Sequence, residues 1–164
     1  MRLGITSYAY RWAVGGDLRF GDDFKLRKPL DVFGLVDKVS ALGLKVLQIG
    51  DNINFDLKVE DYKELCKIAE SRGITLELGA GGVDSSIVGI YAKKADLVGS
   101  HLLNIYPTER EPIRNVIDKI RGFLPILRDH ELTLTLENED SGIYSCYQLA
   151  EILRGVNDPL VGAC

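Results

Sequence analysis

Positive charge is in short supply. The chain has 20 lysines and arginines against 24 aspartates and glutamates, for a net charge of −4. A nucleic-acid surface relies on a basic excess, so none is expected here. Cysteine occurs three times, at 66, 146 and 164, and no two are spaced as a zinc site or redox pair requires. Unpaired thiols suit a cytoplasmic protein, and Cys66 and Cys146 fall in helical patterns, where a thiol behaves as a small hydrophobe. No apolar run reaches the ~18 residues of a membrane span, so no membrane partner is expected. The first residues run straight into a strand pattern, without the features of a secretory leader. No low-complexity segment occurs, and no glycine-rich phosphate loop follows the first apolar run. Histidine occurs only at 101 and 130.

What remains is the composition of an ordinary globular domain, with 46% hydrophobic and 27% charged residues in 164. That length suits one domain with a sizeable core. Short apolar runs at 3–8, 45–49, 74–78, 101–106, 132–137 and 160–164 read as strands. Between them, amphipathic spacing predicts helices over 30–42, 59–71, 85–98, 112–129 and 147–155. Several end at glycine (Gly43, Gly73, Gly99 and Gly155), as left-handed helix caps require. After the first unit the strands recur about every 30 residues, the length of one strand-helix-strand step. Strict alternation of this kind predicts a parallel sheet with right-handed crossovers. The long irregular stretch at 9–28 is either a functional lid or a plain insertion.

Two parallel architectures compete. Central strands of an open doubly wound sheet are apolar on both faces. These strands alternate instead: Leu132, Leu134 and Leu136 lie opposite Thr133, Thr135 and Glu137, and Leu47 and Ile49 lie opposite Val46 and Gln48. An aliphatic side facing helices and a polar side facing a shared interior is the pattern of a closed barrel, whose chemistry gathers at the C-terminal strand ends. By alternation Tyr8, Gln48, Gly79, Tyr106 and Glu137 approach one mouth, with Glu77 and Asn104 one layer deeper. The expected fold is therefore an α/β (β/α)8 TIM barrel, present as a single incomplete domain of about five and a half β-α units over 1–164. The chain stops within what reads as a sixth strand. An open flavodoxin-type sheet is the alternative.

The strongest chemical feature is Leu136-Glu137-Asn138-Glu139-Asp140, with three carboxylates in four residues at a strand tip. Alternation turns Glu137 inward, and Glu139 inward as well if the strand persists that far. A carboxylate there wants a cation, an arginine or a proton, and a hard divalent ion takes such oxygen ligands. A solvated acidic tip, with Asp140 or Ser141 capping the next helix, accounts for the same residues. The histidines His101 and His130 precede strands and so belong to the opposite face, away from chemistry.

Three segments carry a family resemblance: Leu132-Thr133-Leu134-Thr135-Leu136-Glu137-Asn138-Glu139, Leu42-Gly43-Leu44-Lys45-Val46-Leu47-Gln48-Ile49, and Asp158-Pro159-Leu160-Val161-Gly162-Ala163-Cys164. In this order and spacing the chain resembles the first six strands of the xylose isomerase-like TIM barrels. That superfamily includes sugar and sugar-phosphate isomerases and epimerases, inosose dehydratases and endonuclease IV-type enzymes. The resemblance implies a divalent metal ion (Mn, Mg, Co or Zn) held by Glu137, which also serves as a catalytic acid or base. Glu139 stands where the family often has histidine. The family's other ligands fall on strand tips beyond Cys164. The endonuclease branch has histidines where this chain has Gln48 and Gly79, so its zinc cluster is not expected.

The resemblance further implies a small sugar or polyol substrate. Tyr8 and Trp12 are then candidates for its wall, and Gln48, Tyr106 and Glu139 for polar contacts to it, although simple packing explains the aromatics as well. The expected function of the parent fold is a divalent-metal-dependent sugar isomerase or epimerase. An inosose dehydratase-like lyase and a catalytically inactive barrel fragment are the alternatives. This chain alone is expected to bind divalent metal weakly or not at all. An unpaired strand edge would also let copies of the chain pair.

Overall fold

The structure is a computed structural model that describes residues 2–15, 28–138 and 144–164. Its strands are β1 (Gly4–Thr6), β2 (Val46–Ile49), β3 (Thr75–Gly81), β4 (Leu102–Tyr106), β5 (Thr133–Leu136) and β6 (Val161–Ala163). Its helices are α1 (Arg11–Val14), α2 (Val32–Ala41), α3 (Val59–Ser71), α4 (Ser85–Val98), α5 (Ile113–Asp129) and α6 (Cys146–Val156). The strands lie in chain order, β1-β2-β3-β4-β5-β6. A flavodoxin-type sheet reverses its order after the first strand. Sequential order is that of a β/α barrel wall, so the open-sheet alternative falls.

Contacts divide the chain into two compact units, residues 1–77 with 97–99, and residues 78–96 with 100–164. In the first unit β1 and β2 pair in parallel, with Ile5 opposite Leu47 and Thr6 opposite Gln48. The β3 residue Thr75 donates its N–H to the Lys45 carbonyl at 2.9 Å. Helix α2 starts where Asp31 accepts the Gly34 N–H at 2.8 Å, an N-cap that satisfies an otherwise orphan donor. The core of this unit is Val32, Leu35, Val36 and Val39 from α2, Leu47 and Ile49 from β2, and Leu65 from α3, all buried.

In the second unit β4 pairs with β3 and β5, and β5 with β6, all in parallel. Leu103, Ile105, Leu134 and Leu136 turn to the helix side and are buried. There they meet the apolar faces of α5 (Val116, Ile120, Phe123, Leu127) and α6 (Leu149, Ile152). Each such side chain contributes roughly 1.5–3 kcal/mol by leaving water. The alternation read from the sequence is present in β5, where Thr133 is exposed, Thr135 is half-buried, and both leucines are buried.

Several boundaries differ from the expectation. β1 ends at Thr6, and Tyr8 lies in a 3-10 turn (Ser7–Tyr10), because the Thr6 hydroxyl caps the turn by accepting the Tyr8 N–H. β3 runs on to Gly81, which moves its tip past Gly79. Gly43, Gly73 and Gly99 do take positive φ, but Gly155 does not end α6. The left-handed residue there is Asn157, with φ 50. A Cβ on Gly155 would lie 2.3 Å from Ile117 Cδ1, so this glycine permits close packing of α6 on α5. Cys146 opens α6 and is exposed, not a packed hydrophobe. Cys66 is half-buried. Its thiol donates to the Leu97 carbonyl at 3.4 Å, and burial pushes its pKa up.

Candidate functional site

Glu137 follows directly on β5, and its backbone N–H donates to the Ile105 carbonyl at 2.9 Å. That bond carries the β4 pairing one residue past β5 and turns the Glu137 side chain to the face of Thr135 and Asn104. Its carboxylate Oε2 accepts from Asn104 Nδ2 at 2.7 Å. The Thr135 hydroxyl donates to Asn104 Oδ1 at 2.9 Å. Asn104 is only 3% exposed, whereas Glu137 reaches solvent. The inward orientation read from alternation therefore holds, with the carboxylate on the polar side and its tip accessible. Glu139 lies outside the described residues, as do Asp140 and Ser141. The cap on α6 is Ser145, which accepts the Gln148 N–H while Gln148 accepts the Ser145 N–H. The Ser-x-x-Gln capping box was a legible signal, and it replaces the expected cap at Asp140 or Ser141.

Tyr106 ends β4 opposite Gly81. A Cβ on Gly81 would meet the Tyr106 ring at 2.9 Å, so glycine is what lets the ring lie down there. Beside it in the second unit is a polar recess of about 200 Å³, lined in part by Asp84, Thr108, Glu109, Glu111, Lys119 and Tyr144. Lys119 Nζ bonds Glu111 Oε1 at 2.5 Å, which pushes the lysine pKa up. Hydrogen bonds from Ser86 hold Asp84 low. The buried Tyr144 hydroxyl donates to the Glu111 carbonyl at 2.9 Å and accepts the Glu111 N–H at 3.0 Å. Sequence reading missed this clamp, because a tyrosine in an irregular stretch has no periodicity to announce its partner.

The first unit holds the remaining predicted residues. The Tyr8 hydroxyl bonds the Asp51 carboxylate, and its ring lies where a Cβ on Gly50 would be. Ser7 is fully buried. It accepts the Gly50 N–H at 2.8 Å and donates to Asn52 Oδ1 at 2.5 Å. Asn52 Nδ2 is the one buried side-chain donor without a partner among the described residues. Trp12 is 46% exposed, with the Arg11 guanidinium 4.8 Å from its ring centroid. Gln48 is half-buried and lines an opening of about 290 Å³ with Arg2, Gly4, Thr6, Val46 and Glu77. Burial pushes the Glu77 carboxyl up, against a smaller opposite pull from Arg2. In the second unit, His130 pairs with Asp96 at 2.7 Å behind the C-terminus of α5, and His101 precedes β4, so both lie at the N-terminal strand ends as expected.

Glu137 Oε2 is taken by Asn104, and Oε1 carries no hydrogen bond among the described residues. One free carboxylate oxygen on the polar face fits a hard cation as a single ligand. No group of three His, Cys, Asp or Glu side chains is gathered among the described residues. No helix there is long and apolar enough to cross a membrane.

No protein-family model and no curated protein matches the sequence. Solved structures do match. A D-psicose 3-epimerase determined in the presence of D-fructose superposes with a TM-score of 0.74 at 13% identity, over 99% of this chain and 62% of its own. The D-psicose 3-epimerase of Clostridium cellulolyticum H10 with D-tagatose gives 0.72 at 17% identity, over 99% and 62%. A xylose isomerase-like TIM barrel protein from Mycobacterium smegmatis in complex with magnesium gives 0.62 at 14%, over 78% and 53%. The chain thus has the fold of the xylose isomerase-like TIM barrels. It spans about 62% of the length of the two epimerases.

Proposed function

We propose that this chain carries the strand-five part of the site of a divalent-metal-dependent sugar isomerase or epimerase. The observation that carries the reading is the Glu137 carboxylate, presented at a strand tip on the polar face of a fold shared with ketohexose epimerases. Glu137 would hold the metal through its unengaged oxygen. A bound divalent ion supplies Lewis acidity toward the hydroxyl and carbonyl oxygens of a sugar. Glu137 also has the chemistry to accept a proton from the carbon next to a substrate carbonyl and to return it. The C–H electron pair then moves toward the carbonyl; return of the proton by Glu137 to the same face restores the sugar, and delivery from a second acid on the opposite face gives the epimer. Tyr106, in the same unit as Glu137, would contact the sugar's hydroxyls. By the neighbours' ligands, D-fructose and D-tagatose are the first substrates to try.

The test uses the full-length protein with manganese chloride and D-fructose in D2O. Deuterium is expected at the carbon next to the carbonyl, together with the epimer. Glu137→Gln is expected to lower that exchange by at least about 100-fold, the lower end of what a positioned acid-base group contributes. Near-normal exchange in the variant would remove Glu137 from the chemistry.

A further inference from the structure

We propose that Asn104 is a positioning residue for Glu137. The Thr135 hydroxyl locks its amide, and the amide fixes the Glu137 carboxylate with Oε2 engaged and Oε1 free. The inference rests on the role proposed for Glu137 and says how that role is prepared.

An asparagine side chain has a donor end and an acceptor end. Asn104 sits directly across from Thr135 in the β4–β5 register, so the threonine hydroxyl meets it without any loop to adjust. With Thr135 donating to Oδ1 at 2.9 Å, the amide NH2 must face the carboxylate, which it reaches at 2.7 Å. The flipped amide would set Oδ1 against a negatively charged oxygen. Each bond thereby selects the geometry of the other, and the bond to a carboxylate is of the short, charge-assisted kind.

Packing alone gives no reason for an amide here. Asn104 lies between the fully buried Leu103 and Ile105 and is itself 3% exposed. A buried amide costs stability unless its hydrogen bonds are made. Its partners are Thr135 and Glu137, and the Glu137 side chain reaches solvent. A free glutamate must give up rotamer freedom when it engages a ligand. A carboxylate already held has less to lose, which is how preorganisation raises affinity. Hydrogen bonds to a ligating carboxylate are typically worth 10–100-fold in metal affinity.

The test is NMR on this chain labelled with ¹³C and ¹⁵N, using manganese chloride as the probe. In the wild type, one Asn104 Hδ2 proton is expected downfield of solvated asparagines, and the two Glu137 γ-protons are expected at distinct shifts. Glu137→Ala should return the amide proton upfield, and Asn104→Leu should merge the γ-protons. Thr135→Val should broaden the amide pair, and Thr135→Ser should restore it. Manganese should bleach the Glu137 carboxyl carbon, with a midpoint about 10-fold higher in Asn104→Leu.

An unchanged midpoint in Asn104→Leu, with γ-protons still distinct, overturns the proposal. Should Asn104→Leu fail to fold, Thr135→Val decides by the same two readouts. A wild-type carboxyl that never responds to manganese sinks the metal role of Glu137 alone. The amide and γ-proton signals then still decide whether Asn104 holds it.

Discussion

The polar faces of the two units differ although the same pleat produces them. In the second unit, Thr135, Asn104 and Glu137 form a closed chain of donors and acceptors, and the terminal carboxylate reaches water. In the first, Thr6, Gln48 and Glu77 line an opening with Arg2 nearby, and the Glu77 carboxyl is pushed up by burial. Arg2 Nη1 bonds Thr75 Oγ1 at 2.9 Å rather than Glu77. Two inward glutamates thus have opposite standing. One is held by a neutral donor at a strand tip, and the other is half-buried with no side-chain hydrogen bond among the described residues. Alternation places a glutamate inward but does not supply its partner, and the partner decides what the carboxylate can do.

The aliphatic faces show no such contrast, and that equality is the first thing to break. Leu47 in the first unit and Leu134 in the second are both fully buried. Leu47→Ala and Leu134→Ala should each cost about 2–5 kcal/mol, the range for deleting a buried leucine side chain. Urea unfolding of each variant measures it. A cost below about 1 kcal/mol at either site would mean that its helix layer is looser than the burial implies.

The same contrast explains what could be read in advance. Leu132, Leu134 and Leu136 against Thr133, Thr135 and Glu137 is a period-two pattern, and period two is local. It therefore gave the strand, its buried face and the inward turn of Glu137. Parallel pairing followed from β-α alternation, and the sequential order of a barrel wall from the polar face that the strands share. The Asn104–Glu137 bond joins residues 33 apart, and its existence depends on the β4–β5 register, which no periodicity states. The Tyr144 clamp on Glu111 likewise spans 33 residues and comes from an irregular segment. Tyr8 was misplaced as a strand residue because its apolar run continues through the Thr6 cap that ends the strand. Helix ends followed glycine where φ is positive, and failed at Gly155, where the glycine serves packing against Ile117.

Tyr144 sharpens the comparison within the second unit at a middle level of effect. Tyr144→Phe keeps the buried ring and removes both bonds to the Glu111 backbone. Leaving those groups unpaired should cost about 1–3 kcal/mol. Thermal unfolding would read this as a lowered Tm, and faster exchange of the Glu111 amide would localise it. An unchanged Glu111 amide would show that the clamp is not made in solution. Thr135→Val removes one neutral bond from a half-buried position and should cost less, about 0.5–1.5 kcal/mol.

The smallest effect is expected at Glu77 and has the opposite sign. Burial raises its folded pKa above the ordinary glutamate value of 4.5. Between that value and the raised one, the folded state binds more protons than the unfolded state. Stability therefore falls as pH rises through this window and is fully reduced above the folded pKa. Glu77→Gln removes the charge that burial disfavours while keeping a polar side chain of the same length. At pH 7 the variant should be slightly more stable than the wild type. The two stabilities should converge as pH falls through the raised pKa toward 4.5, since both forms are then neutral. Paired urea titrations at pH 7 and pH 4 measure this. A variant less stable at pH 7 would mean that the Arg2 attraction outweighs the burial, and Glu77 would then rank with Glu137 as a satisfied carboxylate.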